Sequence, residues 1–192
     1  MIAGHFGFAA IVKSRETRVP LWSLMLATVW LDILFIPLLM MKIETFQSVP
    51  GLKGGYGEHI IYADYTHSLV GALGLSLAFG LIFLVPWGKR CAMVLAFVSF
   101  SHWLLDLIVH RQDMPILPGN AGNLPRLGFG FWQFKTASIL VELALVVLGA
   151  FCYWRAASAV TTTAQKGRTR AVITAILILL CGITVLALDA AG

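Results

Sequence analysis

The chain has 192 residues, of which 59% are hydrophobic and 12% charged, with a mean hydropathy of +0.86 and a net charge of +5. Soluble domains carry about 25% charged residues and keep a large share of a chain this short at the surface. The composition therefore excludes a soluble globular fold, a disordered chain and a secreted disulfide scaffold, and it predicts one polytopic membrane domain over residues 1–192. The basic residues lie in short segments rather than in a stripe with interleaved aromatics, so no nucleic-acid partner is expected.

The apolar runs, taken in chain order, predict a helical membrane bundle. Residues 2–12 are too short to cross a bilayer and lack the basic start and cleavage site of a signal peptide, so we expect a short N-terminal half-helix that enters the membrane without crossing it. Later runs reach the ~20 residues that a span requires. These are 19–41, 68–87, 91–110, 136–155 and 171–188. The predicted fold class is all-α, with about five transmembrane helices plus the half-helix.

The distribution of charge predicts the orientation of the bundle. Basic residues concentrate in the segments 13–18, 89–90 and 155–170. The loops 42–66 and 111–135 are longer and carry fewer bases per residue. By the positive-inside rule the basic side is cytoplasmic, which places the N-terminus there and the two long loops on the outer face. Both loops contain Gly/Pro-rich stretches that we interpret as ordered or re-entrant covers.

Ionisable residues interrupt the predicted spans, where each costs roughly 2.5–3.5 kcal/mol on insertion scales. They are His5, Asp32, His67, His102, Asp106 and Glu142. With a rise of ~1.5 Å per residue, all of them fall between the middle of the membrane and its outer leaflet. We therefore expect them to converge on one polar site that is reached from outside. His59 and Asp189 are interpreted instead as solvent-exposed residues.

The spacing of His102 and Asp106 indicates the chemistry of such a site. Residues four apart share a helical face, so this imidazole and carboxylate lie one turn apart, and His110 continues that face. An imidazole with a carboxylate is half of a zinc site, and the cation would offset the desolvation of buried acids. Two ions a few ångströms apart would suit phosphoester chemistry.

The same residues have plainer interpretations that the spacing leaves open. His102 and Asp106 could form a structural hydrogen bond between helices or a proton relay. His67 could mark a helix start capped by Asp64 or Thr66, with its imidazole at the interface. His110 fits an interfacial surface residue as well as a ligand.

The order of these residues resembles that of the YdjM-type inner-membrane metal-dependent hydrolases. The matching segments are His5 in GHFGFA, Asp32 in WLDIL, His67 in YTHSLVG, and His102 with Asp106 in SHWLLD. The resemblance covers about the first 115 residues, and the last third matches only as a hydrophobic pattern. That family is distantly similar to the zinc-dependent phospholipase C and nuclease enzymes, whose ligands follow the same order and continue with His-x-x-x-Glu. Ser138 and Glu142 stand at that place here, so a Ser replaces the expected His.

The resemblance implies a bacterial inner-membrane hydrolase that holds one or two zinc ions, or another divalent metal. The implied ligands are His5, Asp32, His67, His102, Asp106 and Glu142, with His110 as an additional candidate. Asp32 would also orient or deprotonate a zinc-activated water as the catalytic carboxylate. Arg111 and Arg126 would bind a phosphate or another anionic headgroup of a lipid or lipid-linked phosphoester, unless they are ordinary loop charges.

Two functions from other classes compete with hydrolysis. In a haem-binding subunit, His67 and His102 could serve as axial ligands, although a haem cleft is not expected to contain so many acidic groups. In an ion- or proton-coupled membrane subunit, the Asp and His residues would act as relays. About five spans without an inverted repeat are few for a transporter.

Overall fold

The structure is a computed structural model that describes residues 1–52, 55–160 and 165–191. These ranges form seven α-helices, one β-hairpin and two short 3-10 segments. The helices are α1 (Ile2–Arg15), α2 (Leu21–Thr28), α3 (Trp30–Met40), α4 (Leu69–Ile82), α5 (Leu84–Val109), α6 (Lys135–Val160) and α7 (Gln165–Ala191). The hairpin strands are β1 (Thr45–Ser48) and β2 (His59–Tyr62), and the 3-10 segments are Pro118–Asn123 and Phe131–Gln133.

Three of the described helices, α5, α6 and α7, are long and apolar enough to cross a membrane. The pair α2 and α3 also qualifies as one span, but it is bent by 45°. The bend falls at Val29, whose backbone leaves helical geometry with φ −114° and ψ 11°. The described helices therefore fit a membrane protein with three candidate spans, or four with the bent pair, and the prediction of about five is not confirmed.

The predicted span 68–87 is divided between two helices. α4 ends at Ile82 after 14 residues. At ~1.5 Å per residue, a helix of that length is shorter than the ~30 Å hydrocarbon core of a bilayer. The chain then starts α5 and bends again at Gly88, where a φ of 80° lies in the left-handed region that favours glycine.

The predicted N-terminal half-helix is present as α1, which packs along α6. Gly7 lies against the backbone of Leu145, and Gly149 lies against the backbone of Gly7. A side chain at either glycine would meet backbone atoms of the other helix, so only glycine permits this approach. The close contact holds α1 inside the bundle and leaves His5 fully buried.

The two long loops cover one end of the bundle and contact each other. β1 and β2 pair antiparallel, with Thr45 opposite Tyr62. The amide of Ile61 in β2 donates to the carboxylate of Asp113 in the second loop, at 2.8 Å. The second loop is also hydrogen-bonded to the start of α4: the amide of Leu69 donates to the carbonyl of Pro115 at 3.0 Å. The loops thus fix the segment that enters α4, and this segment carries His67.

Candidate metal centre

Residues from distant parts of the chain meet at one point inside the bundle. His5 comes from α1, Asp32 from α3, His67 from the segment before α4, and His102 with Asp106 from α5. Four of these side chains are at most 6% exposed, whereas the side chain of Asp32 is 33% exposed. The structure therefore brings together five of the six residues that the sequence analysis assigned to a polar site.

Three ligand atoms in this cluster form a nearly regular triangle. The Nε2 atoms of His67 and His102 are 3.1 Å apart, and each lies 3.5 Å from Oδ1 of Asp32. With bonds of about 2.0–2.1 Å, two ligands of a tetrahedral zinc ion lie about 3.3 Å apart. The triangle has the dimensions of one face of such a tetrahedron. Three protein ligands with a free fourth position are typical of catalytic zinc sites.

The backbone fixes which nitrogen of His102 carries hydrogen. Its Nδ1 lies 2.8 Å from the carbonyl oxygen of Thr28, and a carbonyl can only accept. Thr28 is the last residue of α2, and carbonyls in the last turn of a helix need partners from outside that helix. The break between α2 and α3 thus supplies the acceptor. In the neutral ring, Nε2 then presents a lone pair to the cluster.

The same argument applies to His67 through a side chain. Its Nδ1 lies 2.9 Å from Oγ1 of Thr66, which donates its single proton to Oε2 of Glu44 at 2.8 Å. Thr66 must therefore accept from Nδ1–H, and Nε2 again carries the lone pair. Ser68 caps α4, not Asp64 or Thr66, and the imidazole of His67 points into the cluster instead of the interface.

Two imidazole lone pairs that face each other at this distance repel unless a cation or a proton lies between them. A cation would also offset the desolvation of the nearby carboxylates. Imidazole nitrogen and carboxylate oxygen are zinc ligands, and the second acceptor on each ring is the outer partner that metal-binding histidines usually have. The buried His and Asp groups could therefore hold a metal ion.

Within the described residues, two overlapping groups have ligand atoms close enough to share an ion. One contains His5, His102 and Asp106, and the other contains Asp32, His67 and His102. Both need Nε2 of His102, because its Nδ1 is held by Thr28. A single Nε2 lone pair binds one ion, so the two groups cannot be filled at the same time. This geometry favours one ion over two.

Asp106 lies between the two groups. Its Oδ1 is 3.1 Å from Nε2 of His5, and its Oδ2 is 3.0 Å from Nε2 of His102 and 3.9 Å from Nε2 of His67. The ring of His5 stacks on that of His102 at 3.9 Å, and its buried Nδ1 has no hydrogen-bond partner among the described residues. Asp106 could complete the ligands of the second group, with His5 donating to it and fixing its orientation.

His110 faces the cluster from the end of α5. Its φ of −58° is still helical and only its ψ of 147° ends the helix, so its side chain continues the helical face of His102 and Asp106 as the spacing predicted. Its Nδ1 lies 3.0 Å from Oδ1 of Asp113, and its Nε2 lies 3.8 Å from Oδ2 of Asp106. It belongs to neither group of candidate ligands.

Glu142 lies outside both groups of candidate ligands, although it is fully buried. One of its oxygens accepts from the amide of Gly4 at 3.0 Å, and the other accepts from the hydroxyl of Tyr56. Burial and the hydrogen bond to Glu142 raise the pKa of the Tyr56 phenol, which keeps it protonated and able to donate. Ser138, which stands where a His was expected, donates to the carbonyl of Phe131 at 2.9 Å.

Neither arginine predicted to bind substrate lines the cavity at the cluster. The guanidinium of Arg126 makes two hydrogen bonds to the carboxylate of Asp64, at 2.7 and 3.0 Å. These hydrogen bonds raise the pKa of Arg126. Arg111 donates to the carbonyl of Gly57 at 3.2 Å. Both side chains therefore hold the outer loops together in this structure.

A cavity of about 590 Å³ opens beside the cluster. Asp32, His67, Asp106 and His110 contribute to its wall. The remaining wall is largely apolar and aromatic, and includes Ile2, Phe35, Ile36, Tyr56, Ile61, Trp132 and Leu188. His59 and Asp189 also line it and are only partly exposed, so their interpretation as simply exposed residues is wrong.

Several residues that support the cluster had no role in the sequence analysis. Glu44 and Tyr56 come from loop segments without periodicity, and nothing in their spacing connects them to the helices. Asp113 follows His110 by three residues, a spacing that could have indicated the pair. Thr66 was considered only as a cap.

Comparison of the chain with protein-family models, with curated proteins and with solved structures gives no match.

Proposed function

We propose that the protein is a membrane-embedded, zinc-dependent hydrolase that acts on a phosphoester of a lipid or lipid-linked substrate. The observation that carries this proposal is the triangle of Asp32, His67 and His102, whose ligand separations of 3.1–3.5 Å fit one zinc ion with a free position. Its location in a bacterial inner membrane, with the cavity on the outer face, follows from the charge distribution and the resemblance described above.

When bound, zinc would supply Lewis-acid assistance, which would lower the pKa of a water molecule to about 7 and stabilise charge on a phosphoryl oxygen. Asp32 reaches both the triangle and the cavity, so its carboxylate can orient the attacking water and take its proton. Oδ2 of Asp106 lies 3.0 Å from Nε2 of His102 and 3.9 Å from Nε2 of His67, so Asp106 can also orient the water or take its proton. His5 holds Asp106 in place through Oδ1.

The walls of the cavity support a lipid substrate. Apolar side chains of Phe35, Ile36 and Leu188 stand beside the carboxylate and imidazoles of the cluster. An acyl or prenyl chain could lie against these residues while its phosphoester reaches the triangle. A cavity with apolar walls and a few convergent polar groups is the usual form of a small-molecule site.

The first test of this proposal is the zinc content of protein purified in detergent, measured by elemental mass spectrometry. We expect one zinc ion per wild-type chain and little zinc in His102→Ala or Asp32→Asn. His59→Ala is the matched control, because His59 lines the same cavity outside both candidate groups and should leave the zinc content unchanged. A zinc-free wild type, or zinc that persists in His102→Ala, would contradict the proposed centre.

The second test is hydrolysis of phosphatidylglycerol, phosphatidylethanolamine or phosphatidic acid in mixed micelles. We expect activity that is lost with a chelator and restored by zinc. Asp32→Asn should lose the activity together with the zinc ion, whereas His59→Ala should keep both. Zinc-loaded protein that cleaves no phosphoester would overturn the hydrolase assignment while leaving the metal centre intact.

The competing functions make different predictions for the same samples. Axial haem ligands bind from opposite faces of the porphyrin, whereas the Nε2 atoms of His67 and His102 converge on one point. A haem protein would show a Soret band, and a proton-coupled subunit would contain protons in place of zinc at the triangle. The zinc measurement and an absorption spectrum separate these alternatives.

A further inference from the structure

Glu44 lies outside the candidate ligand groups, yet it is connected to them by two hydrogen bonds. It follows α3, two residues after Lys42, whose φ of 59° turns the chain back over the bundle. Its side chain is fully buried although it belongs to a loop. A buried carboxylate needs hydrogen-bond donors, and the donors found here come from the segment that enters α4.

The two oxygens of Glu44 have different partners. Oε1 accepts from the backbone amides of Tyr65 at 2.7 Å and Thr66 at 2.8 Å. Oε2 accepts from the hydroxyl of Thr66 at 2.8 Å. The first pair of bonds fixes the backbone just before His67, and the third orients the Thr66 hydroxyl.

The direction of each hydrogen bond in this chain follows from its neighbours. A carboxylate has no proton to give, so the Thr66 hydroxyl donates to Glu44 and must accept at its oxygen. The imidazole of His67 then donates through Nδ1 and carries its lone pair on Nε2. We propose that Glu44, acting through Thr66, is a positioning residue that sets the tautomer of His67 required for metal binding. This inference rests on the proposed metal centre.

The substitution Glu44→Gln tests the direction of the relay with almost no change in shape. The two backbone amides at Oε1 require a carbonyl oxygen there, so the amide group of the new Gln would face Thr66. It would donate to the Thr66 hydroxyl, which would in turn donate to Nδ1 of His67. The hydrogen of the ring would then lie on Nε2, where the ion is expected to bind.

The main measurement is the zinc affinity of the full chain in detergent, by competition with a chelator. Loss of an outer hydrogen-bond partner of a metal-binding histidine usually weakens affinity by about 10- to 100-fold, and we expect this range for Glu44→Gln and for Thr66→Val. Thr66→Ser keeps the hydroxyl and should stay within about threefold of wild type, because the outer partner is retained.

Ser76→Ala is the control for loss of a buried hydroxyl at another place. Ser76 in α4 donates to Ser99 in α5 at 3.0 Å, and both side chains are buried. This variant should lose some stability and keep the zinc affinity of the wild type. If it weakens zinc as much as Thr66→Val, the effect is general destabilisation and the positioning role is refuted.

A second readout reports the tautomer directly and needs no metal. NMR of the metal-free wild type with isotope-labelled histidine should show hydrogen on Nδ1 of His67, whether or not Nε2 also carries a proton, and Glu44→Gln should leave Nδ1 without hydrogen. Unchanged zinc affinity in Glu44→Gln and Thr66→Val, or an Nδ1 without hydrogen in the wild type, would overturn the inference. A wild type that binds no zinc would instead remove the proposed function, since the tautomer is measured without the ion.

Discussion

Four imidazoles approach Asp106 with Nε2, and three of them have Nδ1 held by a hydrogen-bond acceptor. The acceptors are a backbone carbonyl for His102, a hydroxyl for His67 and a carboxylate for His110. The residue types of the cluster could be selected from the sequence, because ionisable groups are costly in an apolar helix. The acceptors of His102 and His67 could not be selected, because neither stands out by type or spacing, whereas the spacing of Asp113 after His110 could have indicated that pair.

At the same scale, the pair of Tyr56 and Glu142 predicts a dependence of stability on pH. The pKa of the Tyr56 phenol is raised above its ordinary value of 10.0, first by burial and then by its hydrogen bond to Glu142. The stabilisation is fully present below pH 10. Above that pH the unfolded chain releases the proton while the folded chain retains it, so stability falls as pH rises.

Tyr56→Phe should remove this decline and also destabilise the protein by about 1–3 kcal/mol, because one buried oxygen of Glu142 loses its donor. Thermal unfolding in detergent between pH 8 and 11 would measure both effects. Tyr62→Phe, in the neighbouring strand β2, is the control and should behave like the wild type. Equal pH profiles for wild type and Tyr56→Phe would contradict the prediction.

At the scale of elements, the contact of α1 with α6 decides where His5 lies. The length and apolar composition of residues 2–12 correctly predicted a short helix, but they do not identify the helix against which it packs. The partner is selected by Gly7 and Gly149, which allow the two backbones to touch. The same glycines would look like helix-weakening residues in the sequence alone.

Gly7→Ala should therefore push α1 away from α6 and displace His5, two residues earlier. Overpacking a tight contact costs about 1–3 kcal/mol, and we expect a lower unfolding temperature together with reduced zinc retention. Gly74→Ala in α4 is the matched control, since no atom of the part of the chain that the structure describes lies within 4 Å of the added carbon. That variant should be neutral or more stable by about 0.5–1 kcal/mol, because alanine is the better helix former.

The divided helices show the same limit of sequence patterns. Hydrophobic runs 19–41 and 68–87 are long enough to span, and no strong signal marked the breaks inside them. The first break places the Thr28 carbonyl at His102, and the second leaves α4 with 14 residues. The first break thus serves a tertiary contact, and the number of about five spans, taken from a count of apolar runs, is not confirmed.

At the scale of the whole molecule, orientation in the membrane is the remaining prediction. Single cysteines can test it after the native Cys91, Cys152 and Cys181 are replaced by alanine. With the loops outside, Gln47→Cys in β1 should react with an impermeant maleimide in intact cells. Lys89→Cys should react only after the membrane is permeabilised, and the reverse pattern would invert the orientation.

The amino-acid sequence was sufficient to indicate a membrane protein and the residue types of its polar cluster. An apolar environment penalises every unpaired charge, so a few acids and imidazoles are conspicuous in apolar segments. The coordinates were needed to show which of these residues meet, that their spacing fits one ion, and that Glu142, Arg111 and Arg126 have other partners. Hydrogen-bond direction and ligand separation depend on distances between segments far apart in the chain, and local patterns do not contain them.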